Sequence, residues 1–390
     1  MAEYPLQIDC LIGATYVERP NQFLVSCQLD GGVTVDAYLP NPGRLWELLF
    51  PGTRLILTPT GSRQGDKPRK TRFTVLALER DGAAILLHTH LCNQVARALL
   101  DAGRIPPLAG AEILGSEVPL GRNRFDFLLK KDGRELYLEV KSCSLFGNGV
   151  AMFPDAITAR GRKHLEELAE LGRKGVQSAV LFVAHTRNVE WFIPDYHTDL
   201  AFSRSFLAAR EDVTLLPAAV EWGADLSLSP EVKMLDIPWA HLDREVVDTG
   251  SYLLLFELGR DRKLVGSGGR EGTLRGGHYV YVGSDMENLT RTINRHLRGT
   301  GREAIDEVIK LADKVTPLAV RSSRNEASEI SGAFASIFSP LTDAIDPGPR
   351  GCPAHLLYSA EDPLDRPEFH KVLSQFRMKH PTRNASAITF

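Results

Sequence analysis

Residues 124–143 read "RFDFLLKKDGRELYLEVKSC". Leu136, Leu138 and Val140 alternate with Tyr137, Glu139 and Lys141. The alternation predicts a strand with one apolar face and one face carrying a carboxylate beside an ammonium. Asp132-Gly133 is a strong two-residue turn signal. With that pair at the centre of a hairpin, Lys131 faces Arg134, and counting outward puts Asp126 opposite Glu139. Facing residues have Cβ atoms about 4.5–5.5 Å apart. Two carboxylates so placed repel, and one is protonated unless a cation sits between them. Mg²⁺ resolves the conflict, because it takes one or two carboxylates and keeps its other positions for water and phosphate. Lys141 shares the face of Glu139, where it can orient or deprotonate a water or stabilise charge on a phosphate. The same letters fit a second reading, a solvated sheet face whose acids are neutralised by Lys130 and Lys141. The tripeptide recurs at Glu231-Val232-Lys233, after Pro230 and with no acidic hairpin partner, and there it reads as structural.

The 390 residues are 43% hydrophobic and 24% charged, enough for two or three domains that each bury a core. A net charge of -3 points to no polyanion partner by itself, so a basic surface must be local. Cys10, Cys27, Cys92, Cys143 and Cys352 have no paired spacing. That pattern argues against a disulfide scaffold or zinc knuckle and for a reducing compartment. The first twenty residues lack a signal-peptide pattern and no apolar run reaches membrane-spanning length, so a cytoplasmic protein without a membrane partner is expected.

Outward from the hairpin, the flanks sort into further elements. "LCNQVARALLDAG" (91–103) is an amphipathic helix ending at Gly103. "PDAITARGRKHLEELAELGRKG" (154–175) is a helix with Asp155 as expected N-cap. "SAVLFVAH" (178–185) is a strand buried on both faces. Residues 86–222 thus form an α/β domain. Residues 1–85 hold several short strands, predicting a small barrel, with a turn and short helix at "NPGRLWELLFPG" (41–52). Residues 61–72 gather Arg63, Lys67, Arg69, Lys70 and Arg72 against Asp66 alone. They are either a solvated loop or an arm that tracks phosphates. Residues 223–248 read as a linker, 249–361 as a compact α/β module, and 362–390 as a loosely ordered tail.

Four motifs in order, "PNPGRLWELLFPG", "SEVPLGRNRFDFLL", "YLEVKS" and "FPDAITARGRKHLEEL", resemble the sugar fermentation stimulation protein A family over about residues 5–220. The resemblance implies an OB-like N-terminal domain joined to a PD-(D/E)XK nuclease-like domain, and DNA as the partner. It casts Asp126, Glu139 and Lys141 as the nuclease motif, with Glu117 as a further acidic metal ligand. It also implies that the helix after the motif lies beside the scissile phosphate, with Arg160, Lys163 and His164 as candidate contacts. Arg160 and His164 are four apart and share a helix face. Asn41 and Arg44 are candidates for the DNA backbone, as are Arg69, Lys70 and Arg72. The family's usual pattern has threonine where Pro42 stands, which weakens the Asn41–Arg44 assignment. The expected activity is Mg²⁺-dependent DNA phosphodiester hydrolysis. The alternative is a non-cleaving DNA-binding regulator of sugar utilisation.

The module at 249–361 resembles a small GIY-YIG-like domain, through "GSY" and "YVYVGS". The resemblance implies a second site of Tyr252, Tyr281, His296 and Glu326, with Gly283 beside them. There is a departure. The family's arginine position is Thr292 here, with Arg291 just before it, and one helical step turns a side chain by roughly 100°. "GCPAH" leaves Cys352 and His355, too few for a zinc site. The module is therefore expected to be a nucleic-acid-binding or structural appendage.

Overall fold

The computed structural model describes residues 6, 8, 10–60, 71–121, 123–265, 271–301, 303–341 and 355–380. Arg69, Lys70 and Cys352 lie outside the described residues. The chain divides into two compact units, Met1–Asp195 with Ala201–Pro238, and Tyr196–Leu200 with Trp239–Phe390. Among the described residues no helix is long and apolar enough to cross a membrane.

The first unit begins with six strands: β1 (Ile12–Asn21), β2 (Leu24–Leu29), β3 (Thr34–Tyr38), β4 (Arg54–Pro59), β5 (Phe73–Arg80) and β6 (Ala83–Leu86). β1 pairs antiparallel with β2 and with β4, β2 with β3, and β4 with β5. β3 then closes on β5 in parallel, at Ala37↔Phe73 and Tyr38↔Thr74. The ring of β1-β2-β3-β5-β4 is the expected OB-type barrel, and closure removes free edges from those five strands. Ala14, Val25, Ala37, Leu55, Leu57 and Val75 point inward and are fully buried. The short helix expected at 41–52 is only a turn. Pro42 and Gly43 open it and Leu45 sits in the left-handed region at φ 56°, which an α-helix cannot accommodate.

The same unit continues with α1 (Cys92–Asp101), β7 (Glu112–Leu120), β8 (Asn123–Lys131), β9 (Arg134–Cys143), β10 (Leu145–Gly147), β11 (Val150–Phe153), α2 (Ala159–Arg173), β12 (Gln177–Ala184), β13 (Trp191–Pro194), α3 (Leu200–Ala208), β14 (Thr214–Ala219) and β15 (Lys233–Met234). A sheet runs in the order β15-β14-β12-β9-β8-β7. β7, β8 and β9 form an antiparallel meander, whereas β9, β12 and β14 run parallel. Val95, Ala96, Leu99 and Leu100 of α1 pack with Leu136, Leu138 and Val140 of β9, so the apolar face read from the sequence is the one that meets α1. The turn at Asp132 (φ 49°) and Gly133 (φ 76°) has both central residues in the left-handed region, the mirror-image turn that matches strand twist. Asp155 does not cap α2. Thr158 does, accepting from Gly161 N at 3.1 Å.

The segment read as a linker is divided. Its part up to Pro238 belongs to the first unit through β15, which pairs with β14 at Ala219↔Lys233. Glu231 and Lys233 of the second Glu-Val-Lys make ion pairs with Arg187 and Glu190, a structural use.

The second unit comprises α4 (Trp239–Glu245), β16 (Gly250–Leu258), β17 (Arg262–Val265), β18 (Glu271–Leu274), β19 (Gly277–Asp285), α5 (Leu289–Leu297), α6 (Ala304–Ile309), β20 (Lys314–Arg321), α7 (Ala327–Ala335), β21 (Ser339–Pro340), β22 (Leu356–Ser359) and α8 (Pro367–Arg377). Its sheet is ordered β20-β16-β19-β22-β21. The tail expected to be loose carries α8, because Phe369 and Leu373 are buried and the Phe369 ring stacks on Phe334.

Candidate active site

β8 and β9 hold the predicted register from Lys131↔Arg134 to Phe127↔Leu138, and there the ladder stops. At the next step the strands open. The Asp126 side chain takes the place of a backbone acceptor, with Oδ2 accepting from Val140 N at 2.7 Å. Oδ1 accepts from Asn93 Nδ2 of α1 at 2.7 Å. The expected facing pair is thus offset, and Asp126 caps the opening beside Glu139. Burial and the nearby Glu139 charge push the Asp126 carboxyl above its usual value, against the two N–H donors and Lys141.

Glu139 is buried on β9. Its Oε1 receives both the Lys141 ammonium and His164 Nδ1, the latter at 2.7 Å. Burial alone would raise its pKa, but His164 and Lys141 outweigh that and hold it below the usual value. Its Oε2 is buried with no hydrogen-bond partner. Lys141 is 17% exposed and reaches solvent. The three residues of the motif therefore share one pocket of charge.

Glu117 lies on β7, level with Asp126 between the pairs Ser116↔Phe127 and Val118↔Phe125. Its Oε1 accepts from the same Asn93 amide at 3.4 Å. It is exposed and in the left-handed region at φ 53°, so it borders the site instead of sealing it.

His164 departs from its expected role. It is buried against Glu139 and Phe125 and is not a surface phosphate contact. Arg160 and Lys163 are exposed on α2, with Lys163 paired to Glu167 at 3.7 Å. Arg44 is committed elsewhere: its Nε donates to Asp155 O at 2.8 Å, and its guanidinium lies 4.5 Å from the Trp46 ring centre. Asn41 is also structural, bonding Leu87 O and Gly43 N from a buried position. Arg72 is exposed just before β5.

Sequence reasoning missed Asn93 and the support behind β9. Trp222 Nε1 donates to His185 Nδ1 at 3.2 Å, and an indole only donates. His185 Nε2 therefore carries the proton and donates to Ser142 Oγ at 3.1 Å. Burial pushes His185 down to about 3, which keeps it neutral. Asn93 is a polar position on an amphipathic helix, and no local signal ties it to an aspartate 33 residues later.

The donor set suits a hard cation. Asp126 and Glu139 are oxygen donors in one half-buried place, and Glu139 Oε2 lacks a partner. Among the described residues no three His, Cys, Asp or Glu side chains gather to enclose an ion. Two carboxylates with water and phosphate completing the sphere is the usual manner of holding Mg²⁺.

Two family profiles match the chain. The SfsA N-terminal OB domain matches residues 17–87, and the sugar fermentation stimulation protein RE domain matches residues 90–225. The chain belongs to the sugar fermentation stimulation protein family. A family homologue from Moorella thermoacetica is 42% identical over 210 residues, covering 54% of this chain and 88% of the homologue. One from Chloroflexus aurantiacus is 43% identical over 200 residues, covering 51% and 75%. The structure of Pyrococcus furiosus SfsA in complex with Ca²⁺ covers 60% of this chain and 99% of its own, with a TM-score of 0.54 at 24% identity, and shows the shared fold. The barrel and the α1-to-β14 region are accordingly the family's OB domain and RE domain.

Proposed function

We propose that the first unit is a Mg²⁺-dependent DNA phosphodiesterase acting at Asp126, Glu139 and Lys141. The observation that carries the reading is the partnerless Oε2 of Glu139 beside Asp126, an acceptor waiting for a cation. The Ca²⁺ named with the Pyrococcus furiosus relative is an oxygen-seeking ion of the same class. Asp126 and Glu139 would hold Mg²⁺, with Glu117 at the rim. When bound, the ion polarises a phosphoryl oxygen and lowers the pKa of a coordinated water. Lys141 positions that water or answers charge developing on the phosphate. His164 holds the Glu139 carboxylate in place, and Arg160, Lys163 and Arg72 track the DNA backbone. Free thiols at Cys27, Cys92 and Cys143 fit a reducing, cytoplasmic setting.

A second reading, a DNA-binding regulator that does not cut, has its own support. Both Asp126 oxygens already accept N–H bonds, and Lys141 already neutralises Glu139. One experiment separates the two. Plasmid nicking and DNA binding are measured for wild type, Asp126→Ala and Glu139→Ala across a panel of divalent metals. The nuclease reading expects nicking by wild type, none by either variant, and binding by all three. Equal nicking by both variants would falsify it, and salt-dependent binding with no nicking in any metal favours the regulator.

For the second unit we propose a GIY-YIG-like module kept as a structural or nucleic-acid-binding appendage. Arg291 is exposed, while Thr292 is buried and donates to Asp285 Oδ2 at 2.6 Å. Glu326, the expected metal ligand, holds Lys379 and Arg324 through Oε1, while its buried Oε2 has no hydrogen-bond partner.

A further inference from the structure

Ile157 is 78% exposed, more than any other large hydrophobic side chain among the described residues. Its loop is not slack. Two residues earlier, buried Asp155 accepts from Leu45 N through Oδ2 at 2.8 Å and from Arg44 Nε through its carbonyl at 2.8 Å. One residue later, Thr158 caps α2. Pinned on both sides, the loop cannot fold Ile157 inward, and a β-branched side chain has few rotamers with which to retreat. A stiff apolar projection is thus held in water.

Its surroundings indicate what covers it. From Ala156 to Lys163 the sequence is AITARGRK, with three cations and no acid. Arg162 and Lys163 pair with Glu166 and Glu167 one turn further along. Arg160 is exposed, and a cation beside an apolar tip complements a polyanion with a stacked apolar interior, which is DNA. The five helical steps from Ala159 to His164 rise about 7.5 Å, and Ile157 lies two residues before the start of α2. Ile157 is therefore within a few base pairs of the His164–Glu139 pair along a duplex.

We propose that Ile157 is a wedge that enters between base pairs near the scissile phosphate, while Arg160 holds a flanking phosphate. The proposal rests on the reading of the first unit as a DNA phosphodiesterase and extends it to substrate class. Wedges of Ile, Leu, Phe or Met unstack and kink duplex DNA, and flexible pyrimidine–purine steps yield most easily. The preferred substrate is therefore duplex DNA that is easily unstacked: TA or CA steps, mismatches and bulges.

The test uses the full chain with a short duplex carrying one central 2-aminopurine, in Ca²⁺ to withhold cleavage. Fluorescence reports unstacking and anisotropy reports binding. Wild type is expected to bind and to raise the saturated fluorescence by about twofold or more. Ile157→Ala is expected to bind within about twofold of wild type but to lose that rise, and Ile157→Leu to restore it. An undiminished rise with Ile157→Ala overturns the wedge and leaves the nuclease reading standing. An anisotropy titration in which wild type fails to bind overturns both.

Discussion

The two units each bury a histidine against a carboxylate, and the two pairs are built differently. In the second unit Asp306 Oδ1 meets His296 Nδ1 at 2.7 Å, and Asp306 Oδ2 accepts from Glu303 N at 2.8 Å. His296 Nε2 in turn meets Tyr252 Oη at 2.7 Å. His296 and Asp306 are both 0% exposed, and every polar atom named here has a partner. Gly283 leaves room for the Tyr252 ring, since a Cβ there would overlap it. In the first unit the His164–Glu139 pair has a spare buried oxygen and a partly exposed lysine. A network with nothing left over latches α5 and α6 onto β16. A network with one acceptor left over is poised for a ligand, because an unmet buried acceptor costs stability until something binds it.

That contrast makes opposite demands on substitution. His296→Ala strands the Asp306 carboxylate in the core, and breaking a buried pair by deleting one partner costs about 3–5 kcal/mol. Calorimetry should show the second unit melting far earlier, with nicking by the first unit unchanged. A loss under about 1 kcal/mol would break the latch interpretation. Glu139→Gln should do the reverse. Nicking is expected to fall on the order of 10²-fold or more. Stability should fall by only about 1–3 kcal/mol, less than for His296→Ala, since the amide oxygen still accepts from His164 and Lys141 but no longer attracts the ammonium by charge. If this variant unfolds as readily as His296→Ala, the two carboxylates serve the same structural purpose and the contrast is lost.

His164→Ala sharpens the contrast from within the first unit. Positioning partners behind metal ligands typically cost 10- to 100-fold when removed, and a loss of about that size is expected in nicking. The sign on pH is also fixed. His164 helps hold the Glu139 carboxyl low, so its removal raises that pKa. The acid limb of the nicking profile should therefore move to higher pH. A uniform loss at every pH would assign His164 to packing alone.

The fold and the motif were readable from the sequence where the cause is local. Asp132-Gly133 sets a turn by φ > 0, and the turn sets the register from Lys131↔Arg134 to Phe127↔Leu138. Short alternating strands announced the barrel. Contacts between distant segments were not readable. Asp155 looks like an N-cap beside a helix, yet its carboxylate reaches back 110 residues to Leu45 N, a bond no periodicity encodes. His164 and Arg160 share a helical spacing, but only packing against Phe125 and Glu139 decides that His164 turns inward. Arg44 has the composition of a DNA contact, and its nearness to Asp155 makes it a strut.

A further expected effect concerns that strut. Burial raises the Asp155 carboxyl from 3.8 to about 7, with repulsion from Glu47 adding and Arg44 and the Leu45 N–H opposing. Its Oδ1 has no hydrogen-bond partner, which is where a proton can reside. A folded pKa above the unfolded one means that folding takes up a proton. The stabilisation from that uptake is full below the unfolded pKa and is lost as pH rises through about 7. Asp155→Asn keeps an acceptor for Leu45 N and carries no charge, so it escapes this loss. The melting midpoint of the variant relative to wild type should climb between about pH 4 and 7 and level off above. A relative midpoint that stays flat or falls over the same range would show that Asp155 is ionised throughout. The loop bearing Ile157 would then be pinned by an ion pair with Arg44, and high salt, not high pH, would be what loosens it.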